Sequence, residues 1–256
     1  METLGDDLVL LAIRPNGVIA AAAKLQYALS GSELVRLAAL RRVSVERGMI
    51  VVLDRAPTGD VLLDRALASM DDEAEPPNAG QWVARSRDEL VRRYLERLAA
   101  GGTIQLERRT ALGLISVSGW TVLDAGRLAA ARARLDAVAH GTGSASLSEI
   151  ALAGLASAIG LPAIIYPGPG GFAARRRVAR TASSGFAEMT QAVSSPVVGG
   201  PEVTTGAVTD AAVRAATAAS VRASIGAATK AALAAATPPA PAHHAPDGGG
   251  HADGHH

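Results

Sequence analysis

The chain has 256 residues, 48% of them hydrophobic, enough to bury a sizeable core. Its 25 Lys and Arg against 24 Asp and Glu leave a formal charge of +1, which excludes a long-range field for nucleic acid or an anionic membrane and confines any anion site to a local patch. The absence of cysteine removes disulfides, thiol nucleophiles and cysteine metal centres, and 3% aromatic residues are too few for a base-stacking surface.

In chain order, "METLGDDLVLLAI" is acidic ahead of its apolar run, opposite to the basic start of an export signal. Leu8 to Ile13 is apolar and ends at the turn signal Pro15-Asn16-Gly17, after which Val18 to Leu29 is Ala-rich and helix-capable. Ser30 and Ser32 offer caps for a core helix from Glu33, with Leu34, Leu37, Ala38 and Leu40 inward and Glu33, Arg36 and Arg41 toward solvent. Val43 and Val45, a turn at Arg47-Gly48 and the run Met49 to Leu53 read as a β-hairpin. In "APTGDVLLDRAL", Thr58 is the expected cap, Asp60 lies in the first helical turn, and Leu62, Leu63, Ala66, Leu67 and Met70 form the buried stripe. "DDEAEPP" is a solvated acidic loop.

Trp82 introduces a second helical unit, whose body Asp88 to Ala100 buries Leu90, Tyr94, Leu95 and Leu98 and stops at Gly101-Gly102. A second hairpin follows, with Ile104 and Leu106 and then Leu112, Leu114, Ile115, Val117, Trp120 and Val122 around Ser118-Gly119. Helix and hairpin thus occur twice, at 33–53 and 88–122, without matching residues. Further helices are expected at Gly126 to Ala139, Leu147 to Gly160 and Phe172 to Val193. The longest uncharged segment, Ile150 to Tyr166, reads as a buried helix followed by a turn rather than a bilayer span, being short and interrupted by Pro162. Beyond a folded domain over 1–193 come a linker at 194–208, an Ala-rich helix candidate at 209–236 and a Pro/Gly/His tail at 237–256 that cannot fold by itself.

No phosphate loop, HExxH, GxSxG or strand-borne GxGxxG is present, so an enzyme is the least expected class and no cofactor is implied. Asp60 and Asp64 share a helical face and could do acid-base work, but a capped structural helix explains both. His243, His244, His251, His255 and His256 could hold a metal loosely; without an ordered second shell, no metal site is assigned. "FAARRRVAR" has the densest basic cluster, Arg175, Arg176, Arg177 and Arg180, readable as a phosphate clamp or as a solvated helix face. Arg85, Arg87, Arg92, Arg93 and Arg97 form a second basic zone beside the second hairpin, where Trp120 with Leu114 or Ile115 could face outward. Basic residues beside an apolar loop are what a peripheral membrane surface needs, and a packing or dimer contact accounts for the hairpin equally well.

The order "LGDDLVLLAI", "LVRLAALRRVSVE", "APTGDVLLDRAL", "PPNAGQWV", "LERLAAGGTIQLE", "ALGLISVSGWTVLD", "IALAGLASAIGL" and "RRRVAR" resembles the Golgi phosphoprotein 3 (GPP34) family over roughly residues 1–190. The resemblance implies a mainly α fold, a single-domain helical bundle with surrounding amphipathic helices and two β-hairpins. It further implies binding of phosphatidylinositol 4-phosphate at a basic pocket and insertion of an apolar hairpin, here Arg109 to Asp124 with Leu112, Leu114, Ile115 and Trp120. The family's head-group tryptophan and first arginine correspond to Ala21 and Ser30, and its later arginine pair falls near Asp88 to Arg93, where Arg92 and Arg93 are basic. The basic extension that meets coatomer in eukaryotic members has no counterpart before the domain, so coatomer adaptation is not carried over. The expectation is a non-enzymatic, cytoplasmic protein, peripheral on a membrane surface. It binds anionic phospholipid or phosphoinositide through Arg92, Arg93, Arg85 and Arg87 and the hairpin, and does not bind nucleic acid. The alternative is a soluble homo-oligomeric scaffold that uses the same hairpin for a protein partner.

Overall fold

The computed structural model describes residues 4–73, 75–85, 88–111, 115–141, 145–181 and 226. The expected linker 194–208, the tail 237–256, the Ala-rich helix apart from Gly226, and the part of the Phe172 to Val193 helix beyond 181 lie outside these residues.

The described elements are mainly helical, with two separate two-stranded antiparallel hairpins. At the centre, α1 (Leu4–Ala12) is buried on nearly every side and touches α2 (Ala22–Ala39), α5 (Asp88–Ala100), α6 (Ala125–His140), α7 (Leu147–Ala158) and α8 (Leu161–Ile165). A helix enclosed this way needs apolar residues all round and has no 3.6-residue stripe, which is why Leu8 to Ile13 reads only as an apolar run. The second enclosed helix, α7 (Leu147–Ala158), buries Ile150 through Ala156 and begins with a capping box between Ser146 and Glu149. Gly160 then turns the chain into the short α8 (Leu161–Ile165), with Pro162 in its first turn, so the long uncharged segment is core. No helix among the described residues is long and apolar enough to cross a membrane.

Helix α2 (Ala22–Ala39) is continuous, which corrects the expectation that Ser30 and Ser32 cap a helix beginning at Glu33. Leu25, Ala28 and Leu29 before the serines and Leu34, Val35, Leu37 and Ala38 after them are buried, so packing carries the helix through them, whereas Leu40, expected inward, is 48% exposed. Ser32 Oγ donates back to the Leu29 carbonyl at 2.8 Å, the bond available to a serine inside a helix. Glu33 and Arg36, expected toward solvent, are 1% and 7% exposed. The reason is tertiary: α3 (Val61–Asp71) and α5 (Asp88–Ala100) pack over that face of α2.

The first hairpin pairs β1 (Val43–Glu46) with β2 (Met49–Val52). Its turn residues Arg47 and Gly48 have φ of 51° and 83°, the left-handed pair that a two-residue turn needs to match strand twist. In α3 the whole expected stripe, Leu62, Leu63, Ala66, Leu67 and Met70, is buried. The short α4 (Ala79–Ala84) is capped by Asn78 and places Trp82 fully in the core. The second hairpin joins β3 (Ile104–Ala111) to β4 (Ile115–Val122), with Leu106 opposite Trp120. Ser118 and Gly119 lie within β4, opposite Arg108 and Glu107. Gly17 and Gly119 are both needed for a close approach: a Cβ on Gly119 would stand 3.2 Å from the Gly17 Cα, a Cβ on Gly17 would stand 3.0 Å from the Gly119 Cα, and the Trp120 amide donates to the Gly17 carbonyl at 2.9 Å. Asp124 caps α6 (Ala125–His140), and a further helix, α9, runs over 172–181.

Candidate functional site

The segment Thr58-Gly59-Asp60 builds one end of a groove between α3 and α5. Asp60, not Thr58, is the N-cap of α3: its Oδ1 accepts from the Leu62 amide at 2.9 Å and the Leu63 amide at 3.4 Å. Thr58 instead binds Asp64, whose Oδ1 accepts from the Thr58 amide and from its Oγ1, both at 2.6 Å. The exchange of roles is local chemistry. An extended residue immediately before the helix can reach the free amides of its first turn, and Asp60 sits there with φ −108° and ψ 112°.

Asp60 is also where three helices meet. Its Oδ2 accepts from Arg36 Nη2 of α2 at 2.7 Å, and both its oxygens accept from Arg97 Nη1 of α5, at 3.1 and 3.3 Å. Arg97 continues to Asp6 of α1, Asp6 accepts from Arg127 of α6 at 3.3 Å, and Arg134 of α6 pairs with the buried Asp7. Burial by itself would raise the Asp60 carboxyl, but the Arg36 hydrogen bond and charge, Arg97 and the Leu62 amide outweigh it and hold the group below the ordinary carboxylate range. Asp60 is therefore a fixed anion near neutral pH rather than a proton carrier, and Asp64 is committed to Thr58. Among the described residues no cluster of three His, Asp or Glu side chains could hold a metal.

Beyond Asp60 the helical spacing does the placing. Leu62, Arg65, Ala66 and Ser69 recur on one face of α3, and Glu89, Leu90 and Arg93 on the facing side of α5. With Glu33 of α2 at the base they enclose a cavity of about 270 Å³. It is continued, through the shared Leu62, Arg65 and Arg93, by a shallower depression of about 500 Å³ reaching Gly59, Asp60, Glu96 and Arg97. Leu62, Ala66 and Leu90 make a buried apolar floor, and Arg65 is exposed at the rim. Arg65 makes no hydrogen bond or ion pair with any described residue.

The arginines expected to bind head groups are divided by the fold. Arg93 lines the groove and donates to Glu89 at 2.7 Å. Arg92 is a neighbour on α5 but not a groove residue; it pairs with Glu96 at 2.6 Å and Glu89 at 3.4 Å. Arg85, at the end of α4, pairs with Glu73 at 2.6 Å. Arg87, Leu112 and Leu114 lie outside the described residues, and of Ile115 only the β4 backbone is described. Trp120 is half-buried and packs against the core, whereas Leu106 across from it is 48% exposed. Sequence reasoning missed Arg65, a single basic residue in an ordinary amphipathic helix that no local pattern singles out.

The family model described as Golgi phosphoprotein 3 (GPP34) matches residues 4–219, a span that includes α1, the Asp60 segment, the groove and both hairpins. A search of curated proteins gives no match. The chain belongs to the Golgi phosphoprotein 3 (GPP34) family.

Proposed function

We propose that the protein is a non-enzymatic peripheral membrane protein. In this reading it lies on the cytoplasmic face and binds the phosphate of an anionic phospholipid head group in the α3–α5 groove. Phosphatidylinositol 4-phosphate is the ligand the family resemblance favours. The observation that carries the reading is Arg65, an exposed guanidinium without a carboxylate partner at the mouth of a groove that already holds Arg93. A guanidinium meets phosphate through two parallel N–H bonds, and two of them can clasp one phosphate from opposite helices. Glu33 and Glu89 line the same cavity, which favours a single phosphate over a polyphosphate. Flotation with vesicles of phosphatidylcholine, with and without phosphatidylinositol 4-phosphate, tests it. Recovery should depend on the anionic lipid and fall in R65A/R93A; equal recovery on both vesicle types, unchanged in the variant, sinks the head-group reading.

The second reading, a homo-oligomeric scaffold, is favoured by Leu106, Leu123 and Val18, which are 48%, 53% and 50% exposed around the base of the second hairpin. Sedimentation equilibrium decides it: a monomer at high concentration removes its support, and a dimer lost in Leu106→Asp establishes it.

A further inference from the structure

We infer that α9 is a second membrane contact, an electrostatic and aromatic one that takes an anionic bilayer surface without head-group specificity. It shares with the proposed function only the premise that the protein meets a membrane. Between Glu149 and Glu188 the sequence contains no acidic residue, while α9 carries Arg175, Arg176, Arg177 and Arg180, a local excess in a chain of net charge +1. On α5, by contrast, Arg92, Arg93 and Arg97 are matched by Asp88, Glu89 and Glu96, so that helix contributes no net charge.

The fold directs Arg176 and Arg177 outward and gives Arg175 and Arg177 only neutral acceptors. Ala174 and Val178, four apart, are the buried face by which α9 docks. Arg175 Nη1 donates to the Tyr166 carbonyl and, at 3.0 Å, to that of Gly168; Arg177 Nη1 donates to the Ala139 carbonyl at 3.2 Å. These acceptors are neutral backbone groups near the ends of α8 and α6, so they orient the guanidinium groups without cancelling their charge. Arg176 is exposed and meets only the Phe172 ring, 5.6 Å from its centroid. None of Arg175, Arg176 and Arg177 meets a carboxylate among the described residues. The nearby Asp136 is already held by Arg132 at 3.1 Å and the Tyr166 hydroxyl at 2.6 Å.

Phe172 supplies the apolar half. It is 55% exposed at the start of α9, with Arg175 and Arg176 beside its ring. An exposed aromatic among arginines that lack counter-charges suits the boundary where acyl chains meet anionic head groups. The second hairpin leads into the start of α6 and Arg177 docks on its end, so the base of that hairpin and α9 stand about 24 Å apart, at 1.5 Å per residue over the 16 residues of α6.

The test uses the full chain and vesicles of phosphatidylcholine containing phosphatidylserine and no phosphoinositide, with thermal melts to show that each variant is folded. Removing one arginine from an anionic surface should lower partitioning about fivefold, so R176A binds about fivefold less and R176K as well as wild type. Phe172→Ala should bind about tenfold less, and the same losses should recur in the R65A/R93A background. If R176A and Phe172→Ala bind these vesicles like wild type, the contact does not exist, whatever the groove does with phosphatidylinositol 4-phosphate. Retention of duplex DNA that depends on Arg176, without binding to the vesicles, would also overturn it and make the cluster a polyanion site.

Discussion

Replacing Asp60 tests the reasoning about the fold most directly, because one carboxylate caps α3 and pairs with two arginines. Loss of an N-cap costs about 1 kcal/mol. Removing one partner of a buried pair costs about 3–5 kcal/mol, and the Arg36 side chain left behind is 8% exposed. Arg97 retains Asp6 and adds little. Because cap and ion pair share one group, the two terms overlap, and D60A should lose about 3–4 kcal/mol of an overall stability of about 5–15 kcal/mol. D60N keeps an oxygen for the Leu62 and Leu63 amides but not the charge, so it should be about 1 kcal/mol more stable than D60A. Urea unfolding at pH 7 reads this as shifted midpoints at constant slope. The pH dependence supplies the sign. A carboxyl held below its ordinary range in the folded state stabilises above the unfolded pKa, and that contribution is lost as pH falls through the folded value. The gap between wild type and D60N should therefore close as the pH is lowered from about 5 through the acid range. A D60A variant within about 1 kcal/mol of wild type, or a gap independent of pH, would refute the hub.

Gly17→Ala should destabilise by about 1–3 kcal/mol, because its Cβ meets the Gly119 backbone and φ is +82°; denaturation followed by Trp120 fluorescence in a Trp82→Phe background reads the loss. Ser146→Ala should cost about 1 kcal/mol by removing one half of the α7 capping box, measured by the same unfolding, with Ser146→Asp close to wild type.

How much of this was legible follows from how local each cause is. The α3 stripe was readable because one face is buried and the other wet, so Leu62, Leu63, Ala66, Leu67 and Met70 carry the helical period in the sequence itself. The Arg47-Gly48 turn was readable for the same reason, since two residues set their own backbone. Helix α1 was not, because burial on all sides erases the period. Glu33 and Arg36 read as solvated because charges usually are; what buries Arg36 is Asp60, 24 positions away, and nothing near Arg36 announces it. The site divides likewise. Arg93 stands in a visible basic run, whereas Arg65 becomes a site residue only when α5 is laid beside α3.

This division lets stability and binding be separated by two single substitutions. Asp60 joins the walls of the groove to the bundle through Arg36 and Arg97, and it also lines the groove's shallow end. Arg65 lies on the rim, exposed and without a partner, and braces nothing. Surface changes of that kind shift stability by less than about 0.5 kcal/mol. R65A should therefore melt with wild type yet bind phosphatidylinositol 4-phosphate vesicles more weakly, and R65K, which keeps the charge but not the two-pronged geometry, should fall between them. D60N should show the opposite profile, a lower urea midpoint with vesicle binding retained at temperatures where it is folded. If R65A unfolds early, the rim arginine is part of the scaffold. If R65A binds as wild type while D60N does not, the anion is held by the buried network around Arg36 and Arg97 rather than at the mouth of the groove.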